Sequence, residues 1–259
     1  VWHLRFWERR LGVVVPYSEE QRVATEDGTF IELRRVALLG ERNAAPPVML
    51  VHGLGANHRN NDLHPDHSLA RYLSERGHDV WLLTLRSGPS RRTRAETKIV
   101  RFAAMVRHDL PLGVARVLEA SGASQVDYLG FSMGGMLLYA ALGRTLDEAL
   151  LRRVVIVGSP AVVRSPLAAL LPAFVARLPA WMMPTARLRL LARSGAFASE
   201  WLRTPLHHVV FNPRNVAPGI ARMGLINVIE DVPGPLNLDF LAWAVSPDGR
   251  LRLDGEDVI

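Results

Sequence analysis

The sequence DYLGFSMGGM, residues 127–136, places Ser132 between Gly130 and Gly134 at the end of a short apolar run. The residues before Ser132 are typical of a buried strand, and those after it are typical of a helix. A sharp turn from strand to helix at the pattern Gly-x-Ser-x-Gly exposes the serine hydroxyl, because glycine lets the two backbones approach closely. The stretch therefore predicts a nucleophilic serine at a strand-to-helix turn.

Three other apolar runs accompany this one: VMLVHG at 48–53, VWLLTL at 80–85 and VVIVG at 154–158. Each is almost continuously apolar, which is typical of a strand buried on both faces of a sheet. Helix-like segments separate the runs, and Asp109 is predicted to cap one of them. The order predicts parallel strands with helices on both faces. The alternating residues 21–38 turn at Asp27-Gly28 and predict an antiparallel hairpin that leads into the sheet.

The character of the sequence changes after Pro160. Leucine, alanine, proline and arginine dominate residues 165–192, and only HHVVF at 207–211 and LINVIE at 225–230 are weak strand candidates. We therefore predict two parts. Residues 1–159 form the N-terminal part of the core, and residues 160–259 form a helical cap or lid insertion with a link back towards the core.

Composition excludes several classes of function. The 259 residues are 49% apolar and contain no cysteine, which excludes disulfides, thiolate metal sites and cysteine nucleophiles. The net charge is +6, but the basic residues are scattered and form no basic stripe with interleaved aromatic residues, so we expect no nucleic-acid partner. Residues 1–16 lack the pattern of a signal peptide, and no apolar run near Ser132 is long enough to span a membrane. A cytoplasmic location is favoured.

Four stretches together resemble one known family. LVHGLGANHRNNDL, DVWLLTLRSGPS, DYLGFSMGG and VVIVGSP are similar to the third to sixth strands of an α/β-hydrolase and the loops that follow them, in the family's order and at its spacing. The resemblance covers about residues 20–160 and is nearest to the capped lipase and esterase branch. It implies an α/β fold with a mostly parallel, doubly wound sheet. A related polyester-synthase branch uses cysteine where this chain has Ser132.

The resemblance also implies roles for individual residues. Ser132 is the nucleophile, and the amides of Leu54 and Met133 form the oxyanion hole. We interpret His52 as a structural hydrogen-bonding residue that supports the oxyanion loop. The supporting positions of the two motifs are His52, Gly53, Gly55, Gly130 and Gly134. The resemblance implies no metal and no organic cofactor.

The family's order of serine, acid and histidine is incomplete in this sequence. No histidine follows His208, so Asp231 has no histidine after it. Using His207 or His208 as the base would reverse the order, and Asp127 precedes the serine strand and is read as a turn or edge residue. We therefore expect the chain to be a C-terminally truncated piece that lacks its acid and base and is inactive alone.

Two other stretches contain residues that could form a binding site, one for a metal ion and one for a nucleotide. The loop HRNNDLHPDHS contains possible metal ligands at His58, Asp62, His64, Asp66 and His67. We favour a solvated loop in which Asp66 or Ser68 caps the next helix. The stretch GLGANH has His58 where the dinucleotide-binding pattern needs glycine, and no phosphate-binding lysine accompanies it. A nucleotide-binding site is therefore not favoured.

The favoured function is hydrolysis of carboxylic esters with a hydrophobic acyl group, through an acyl-enzyme on Ser132. Two alternatives remain: a non-catalytic scaffold that binds a hydrophobic ligand or partner, and an acyltransferase that uses the same serine. The expected partner is a small-molecule ester, and peripheral contact with a lipid surface stays open. Apolar cap residues between 181 and 191 are read either as a lining for an acyl chain or as ordinary packing.

Overall fold

The fold is seen in a computed structural model that describes residues 6, 9–13, 15–89, 92–164, 179–180, 182–196, 198–199, 215–217 and 219–258. One sheet has the strands β1 (Tyr17–Ala24), β2 (Phe30–Val36), β3 (Val48–Val51), β6 (Val80–Thr84), β7 (Val126–Phe131) and β8 (Leu151–Val157), in the order β1-β2-β6-β3-β7-β8. The pairs β6–β3, β3–β7 and β7–β8 are parallel, and β1–β2 and β2–β6 are antiparallel. The predicted parallel sheet and N-terminal hairpin are confirmed.

Two short hairpins lie outside this sheet. They are β4 (Asp62–His64) with β5 (His67–Ser68), and β9 (Arg252–Leu253) with β10 (Glu256–Asp257). The helices are α1 (Leu69–Glu75), α2 (Arg94–Lys98), α3 (Phe102–Ala104), α4 (Leu110–Ser121), α5 (Met133–Ala141), α6 (Leu188–Gly195), α7 (Ile220–Asn227) and α8 (Gly234–Val245). A π-helical turn, Met105–Asp109, joins α3 to α4. Among the helices of these described ranges, none is both long and apolar enough to cross a bilayer.

The two central strands are buried on both faces, as their continuous apolar sequences predict. Met49, Val51, Trp81 and Leu83 face the larger cluster of apolar side chains, which includes Val114, Val117 and Leu137 of helices α4 and α5. Val48, Leu50, Val80 and Leu82 face the opposite cluster, where Ala70 of α1 packs. Alternate side chains of one strand thus reach different layers. Helices cover both faces, so the sheet is doubly wound.

Strand β8 differs from its prediction. Its apolar sequence predicts burial on both faces, but Val154, Val155 and Val157 are between 41% and 51% exposed. The strand is last in the sheet order and pairs only with β7 among the described residues. The prediction of two buried faces is therefore wrong for β8, because an apolar strand is buried only where neighbouring elements cover it.

Asp109 also differs from its prediction, because it does not cap a helix. The chain is already helical before Asp109, since the π-helical turn runs directly into α4. The Asp109 carboxylate instead accepts hydrogen bonds from the backbone amide of Arg86 at 2.9 Å and from its Nε at 2.8 Å. Nη2 of Arg86 donates to Asp27 at 3.0 Å. This buried ion pair ties the β1–β2 turn and the loop after β6 to the π-helical turn.

The longest elements in the described part of residues 160–259 are the helices α6, α7 and α8, and the other described residues there are mainly irregular. The weak strand candidate LINVIE does not form a strand, because residues 225–227 are the end of α7 and residues 228–230 lie in no strand; six residues are too few to distinguish a strand from a helix by pattern. The strand candidate at 207–211 lies outside the described residues. Near the end, the amide of Val163 donates to the carbonyl of Gly249 at 2.7 Å, so residues 249–251 run beside the chain at 161–163.

Candidate active site

Ser132 occupies a strained turn between β7 and α5. Its backbone angles are φ 51° and ψ −115°, and the one other described non-glycine residue with positive φ is Asp254, in a hairpin turn. Such a conformation costs about 1–3 kcal/mol for a residue with a Cβ and persists only where the surroundings impose it. Here the Ser132 amide donates to the carbonyl of Val157 at 2.8 Å. The Ser132 carbonyl accepts from the amides of Gly135 and Met136. The turn is thus fixed on both sides.

The glycines of the motif lie where a side chain has no room. A Cβ on Gly130 would stand 2.6 Å from the amide nitrogen of Gly135, and one on Gly134 would stand 2.6 Å from the carbonyl oxygen of Val51. A Cβ on Gly53 would stand 3.1 Å from Cβ of Ser132. Gly130 and Gly134 therefore let β7, α5 and β3 pack closely, and Gly53 lets the loop after β3 approach the serine.

Two backbone amides are available beside the serine. Met133 is the first residue of α5, so its N–H lacks an acceptor inside the helix and carries the positive end of the helix dipole. Leu54 follows Gly53, whose Cα lies against Ser132. Within the described ranges, neither the Met133 amide nor the Leu54 amide donates a hydrogen bond. Free amides at these positions suit an anionic oxygen.

His52 is completely buried at the end of β3, and both of its ring nitrogens are used. Nε2 accepts from the amide of Leu85 at 3.1 Å, so the proton is on Nδ1, which lies 2.8 Å from the carbonyl oxygen of Gly53. Burial lowers the pKa of His52 to about 4, so the ring is neutral near pH 7. The Gly53 carbonyl and the Leu54 amide belong to one planar trans peptide, so His52 sets the direction of that amide.

The far end of the same loop contacts residues that follow α7. Gly55 has φ 62°, and its carbonyl accepts from the amide of Glu230 at 2.8 Å. Nδ2 of Asn57 donates to the Asn227 carbonyl at 2.9 Å and to Oε1 of Glu230 at 2.8 Å. Sequence reasoning missed Asn57 and Glu230, because nothing in either local sequence indicates the other.

No base adjoins the serine within the described residues. Oγ of Ser132 makes no hydrogen bond there, and His207 and His208 lie outside those residues. Oδ1 of Asp231 accepts from the amide of Arg189 at 3.0 Å, in the first turn of α6. Asp127 is in β7 near the end opposite Ser132, where it pairs with Arg152. Within the described residues the site therefore combines a serine at a strained strand-to-helix turn with two backbone amides that donate no hydrogen bond, and neither candidate acid contacts the serine.

The polar loop at 58–67 is more buried than expected. Asp62 is fully buried and accepts from the Tyr17 hydroxyl at 2.9 Å and from Oγ of Ser68 at 2.6 Å. Oγ of Ser68 also accepts from the amide of Arg71, so Ser68 caps α1 as predicted. The prediction of a solvated loop is wrong at Asp62, which joins the loop to β1, and agrees with the exposure of residues 65–67. No cluster of three metal-ligating side chains occurs in the part of the chain that the structure describes.

Sequence comparison places residues 46–218 in a family described as having the α/β hydrolase fold. Gastric triacylglycerol lipase of Homo sapiens is 31% identical over 151 residues, which are 53% of this chain and 37% of that protein. Lipase member M of Mus musculus is 31% identical over 144 residues, which are 51% of this chain and 34% of that protein. The matched region thus spans about a third of the length of these lipases.

Among solved structures, the crystal structure of bromoperoxidase from Bacillus anthracis superposes with a TM-score of 0.50 at 14% identity, covering 89% of this chain and 75% of that one. At this identity the likeness concerns the fold alone. The family match covers more than half of the chain and includes the strands that carry His52 and Ser132. The chain belongs to the α/β-hydrolase fold family.

Proposed function

We propose that this chain carries the nucleophile and the oxyanion hole of a serine hydrolase that cleaves carboxylic esters with a hydrophobic acyl group. The strained backbone of Ser132, with φ 51° at the start of α5, is the observation that carries the proposal. A strained residue at a strand-to-helix turn costs free energy, and its retention is typical of functional sites. The similarity to lipases supports ester cleavage as the reaction class.

The proposed reaction has two steps. Oγ of Ser132 attacks the ester carbonyl carbon while a base takes its proton, and the carbonyl oxygen becomes an anion held by the amides of Leu54 and Met133. The carbon–oxygen bond to the alcohol breaks, and the alcohol leaves with that proton. Water then attacks the acyl carbon and gives a proton to the same base. The bond from that carbon to Oγ of Ser132 breaks, the carboxylic acid leaves, and the base returns the proton to Oγ. Each oxyanion-hole donor is worth about 10²–10³ in rate.

The apolar residues of helix α6 support the proposal that the acyl group of the substrate is hydrophobic. Leu188 lies beside Gly55, since a Cβ on that glycine would stand 3.2 Å from Cδ1 of Leu188. Leu190 and Leu191 of the same helix are exposed, with Leu191 at 70%. An exposed apolar face next to the proposed oxyanion loop suits a hydrocarbon chain or a lipid surface. Trp181, which the sequence places in the same apolar group, lies outside the described residues.

We propose that polypeptide other than residues 1–259 supplies the base and the acid. The exposed valines of β8 support this proposal. An apolar strand of this composition is typical of a position where further elements pack against it. A non-catalytic scaffold is the second candidate, and the absence of a base beside Ser132 in the described residues favours it. An acyltransferase would use the same residues with an alcohol or amine in place of water.

Covalent labelling with a fluorophosphonate, followed by peptide mass spectrometry, tests the proposal. In the polypeptide that also contains the base, we expect one labelled residue, Ser132, and no labelling in Ser132→Ala. Ser159→Ala is the matched control, because Ser159 lies near the same helix start without the elbow geometry. Residues 1–259 alone are expected to react slowly, since a serine without a base is a weak nucleophile.

Each result discriminates between the candidates. Labelling of Ser132 with release of acid from an ester supports the hydrolase, and transfer to an added alcohol in preference to water supports the acyltransferase. A fully assembled protein that binds hydrophobic ligands without labelling would establish the scaffold. Rapid ester turnover by residues 1–259 alone would contradict the proposal of an external base and direct attention to His207 and His208.

A further inference from the structure

The proposed oxyanion loop, residues 53–57, is held by a second part of the chain that we call the clamp segment, residues 227–232. Three hydrogen bonds join them. The Glu230 amide donates to the Gly55 carbonyl at 2.8 Å, and Nδ2 of Asn57 donates to the Asn227 carbonyl at 2.9 Å and to Oε1 of Glu230 at 2.8 Å. The clamp segment therefore contacts the loop through both backbone and side chains.

The contact is buried, which makes it specific. Glu230 is 5% exposed and Asn57 is 8% exposed. A buried carboxylate or amide that loses its hydrogen-bond partner costs much more free energy than an exposed one. Oε2 of Glu230 lies 3.9 Å from Nε of Arg189, so a cation on α6 also faces this carboxylate. The hydrogen-bonded pair of Asn57 and Glu230 thus favours one position of the loop relative to the clamp segment.

The packing around Gly55 is equally close. A Cβ at this position would stand 3.3 Å from the carbonyl oxygen of Glu230 and 3.3 Å from Cγ2 of Val232. The clamp segment therefore lies directly on the loop backbone. The clamp segment lies beyond residue 218, where the family match ends, whereas the loop that it contacts lies within the matched residues.

Leu54 lies between two fixed points of the loop. His52 holds the Gly53 carbonyl on one side, and Glu230 and Asn57 hold the residues on the other side. We infer that Glu230 is a positioning residue, which keeps the Leu54 amide directed at the carbonyl oxygen of the substrate through its contacts with Gly55 and Asn57. The oxyanion hole is then complete only while the clamp segment is docked. This inference rests on the proposed function of Leu54.

A separate contact provides a matched control. Asp239 in α8 accepts from the Phe102 amide at 2.9 Å and pairs with Arg101, so it docks the same part of the chain on the core. Its side chain is 11% exposed, close to that of Glu230. In the described residues, its hydrogen bonds go to Arg101 and Phe102 and not to the proposed oxyanion loop. Loss of Asp239 therefore weakens docking of α8 without acting on Leu54.

Hydrogen–deuterium exchange tests the positioning without any need for catalysis. The amide of residue 230 donates to the Gly55 carbonyl, so in Glu230→Ala we expect its protection against exchange to fall about 10-fold, because the loop and the clamp segment separate more often. Glu230→Gln keeps an oxygen acceptor for Asn57 and should be protected as the parent chain is. Asp239→Ala should speed exchange near Phe102 and leave the amide of residue 230 unchanged. Equal protection of that amide in Glu230→Ala and the parent chain would overturn the inference.

A second readout uses ester hydrolysis in the polypeptide that contains the base. Glu230→Ala should lower kcat by roughly 10-fold to 100-fold with little change in KM, since a misplaced oxyanion donor affects the transition state more than ground-state binding. Asp239→Ala should lower kcat by much less. If Glu230→Ala does not fold, Asn57→Asp replaces it, because Asp keeps the oxygen that accepts from the Arg59 amide and loses the donor to Glu230.

The two hypotheses fail in different ways. If the parent protein neither reacts with a fluorophosphonate nor hydrolyses esters, but exchange of the residue 230 amide follows the pattern above, the proposed function is wrong and the role of Glu230 in holding the loop stands. If the parent protein is active and Glu230→Ala equals it in kcat, Glu230 does not position the oxyanion donor.

Discussion

The amide of Leu85 donates a hydrogen bond of 3.1 Å to Nε2 of His52, and this contact leaves the ring proton on Nδ1, beside the Gly53 carbonyl. A protonated ring would place a hydrogen on Nε2 against the Leu85 amide and break the contact. The loop before the proposed oxyanion donor is therefore held best by a neutral histidine.

The stability of the protein is expected to depend on this ring. The pKa of His52 is about 4 in the folded chain and 6.5 when unperturbed, so the contribution is complete above pH 6.5 and is lost as the pH falls from there through 4. The loss amounts to about 3 kcal/mol in the free energy of unfolding. Urea unfolding between pH 4 and 7 measures it.

Burial also lowers the pKa of His58, to about 2. The free energy of unfolding therefore falls with decreasing pH because of His58 as well as His52. The quantity to compare is therefore the difference between His52→Gln and the parent chain, which should be smallest at low pH. His67→Gln, at an exposed histidine, is the control. An unfolding free energy whose pH dependence is the same with and without His52 would contradict the burial argument.

Ser132→Gly is expected to stabilise the protein while removing the proposed nucleophile. Glycine adopts φ 51° without the clash of a Cβ, so the free energy of unfolding should rise by about 1 kcal/mol. Ser132→Ala keeps the Cβ and should leave the strain in place. Thermal or urea unfolding of the two variants separates loss of strain from loss of the hydroxyl, and equal stability of the two would mean that the turn is relaxed.

The buried pair of Arg86 and Asp109 is expected to be costly to break. Asp109→Ala leaves the Arg86 guanidinium with Asp27 as its one carboxylate partner among the described residues, and loss of one partner from a buried pair costs about 3–5 kcal/mol. The exposed pair of Arg116 and Glu119 is the control, and Glu119→Ala should cost less than about 1 kcal/mol. Urea unfolding measures both, and similar losses would show that burial adds nothing to the first pair.

The exposed edge at β8 is expected to promote self-association of residues 1–259. Val155→Lys places a charge on this edge and should lower the fraction of large species in light scattering, because charged side chains oppose pairing between edges. Leu39→Lys is the matched control, since Leu39 and Val155 are both 51% exposed and Leu39 lies outside the strands. An equal effect of the two substitutions would show that general solubility, and not the strand edge, governs association.

Local patterns predicted the central part of the fold. Gly130 marks the strand-to-helix turn at Ser132 for a local reason, because a side chain there would clash with the backbone of Gly135, five residues along the chain. The continuous apolar runs of β3 and β6 likewise report burial on both faces. Such signals are readable in a single sequence because cause and effect lie close together.

Long-range partners were not predictable in this way. Asn57 and Glu230 are 173 residues apart, and Asp109 looks like a helix cap until its partner Arg86 is seen. The exposure of β8 was missed for a related reason. The valines of β8 indicate a strand that is typically buried. Whether the strand is buried depends on which elements pack against it, and its local sequence does not show those elements.

The hydrogen bond from the Ser132 amide to Val157 has a consequence for the motions of the site. Its acceptor belongs to β8, the last strand of the sheet among the described residues, so opening of the sheet from that side releases the serine backbone before it reaches β3 or β6. Strand ends at an edge fray with a smaller free energy than strands at the centre. The Ser132 amide should therefore become accessible in local opening events that leave the amides of β3 protected, and the strain at this turn would be released whenever the edge frays.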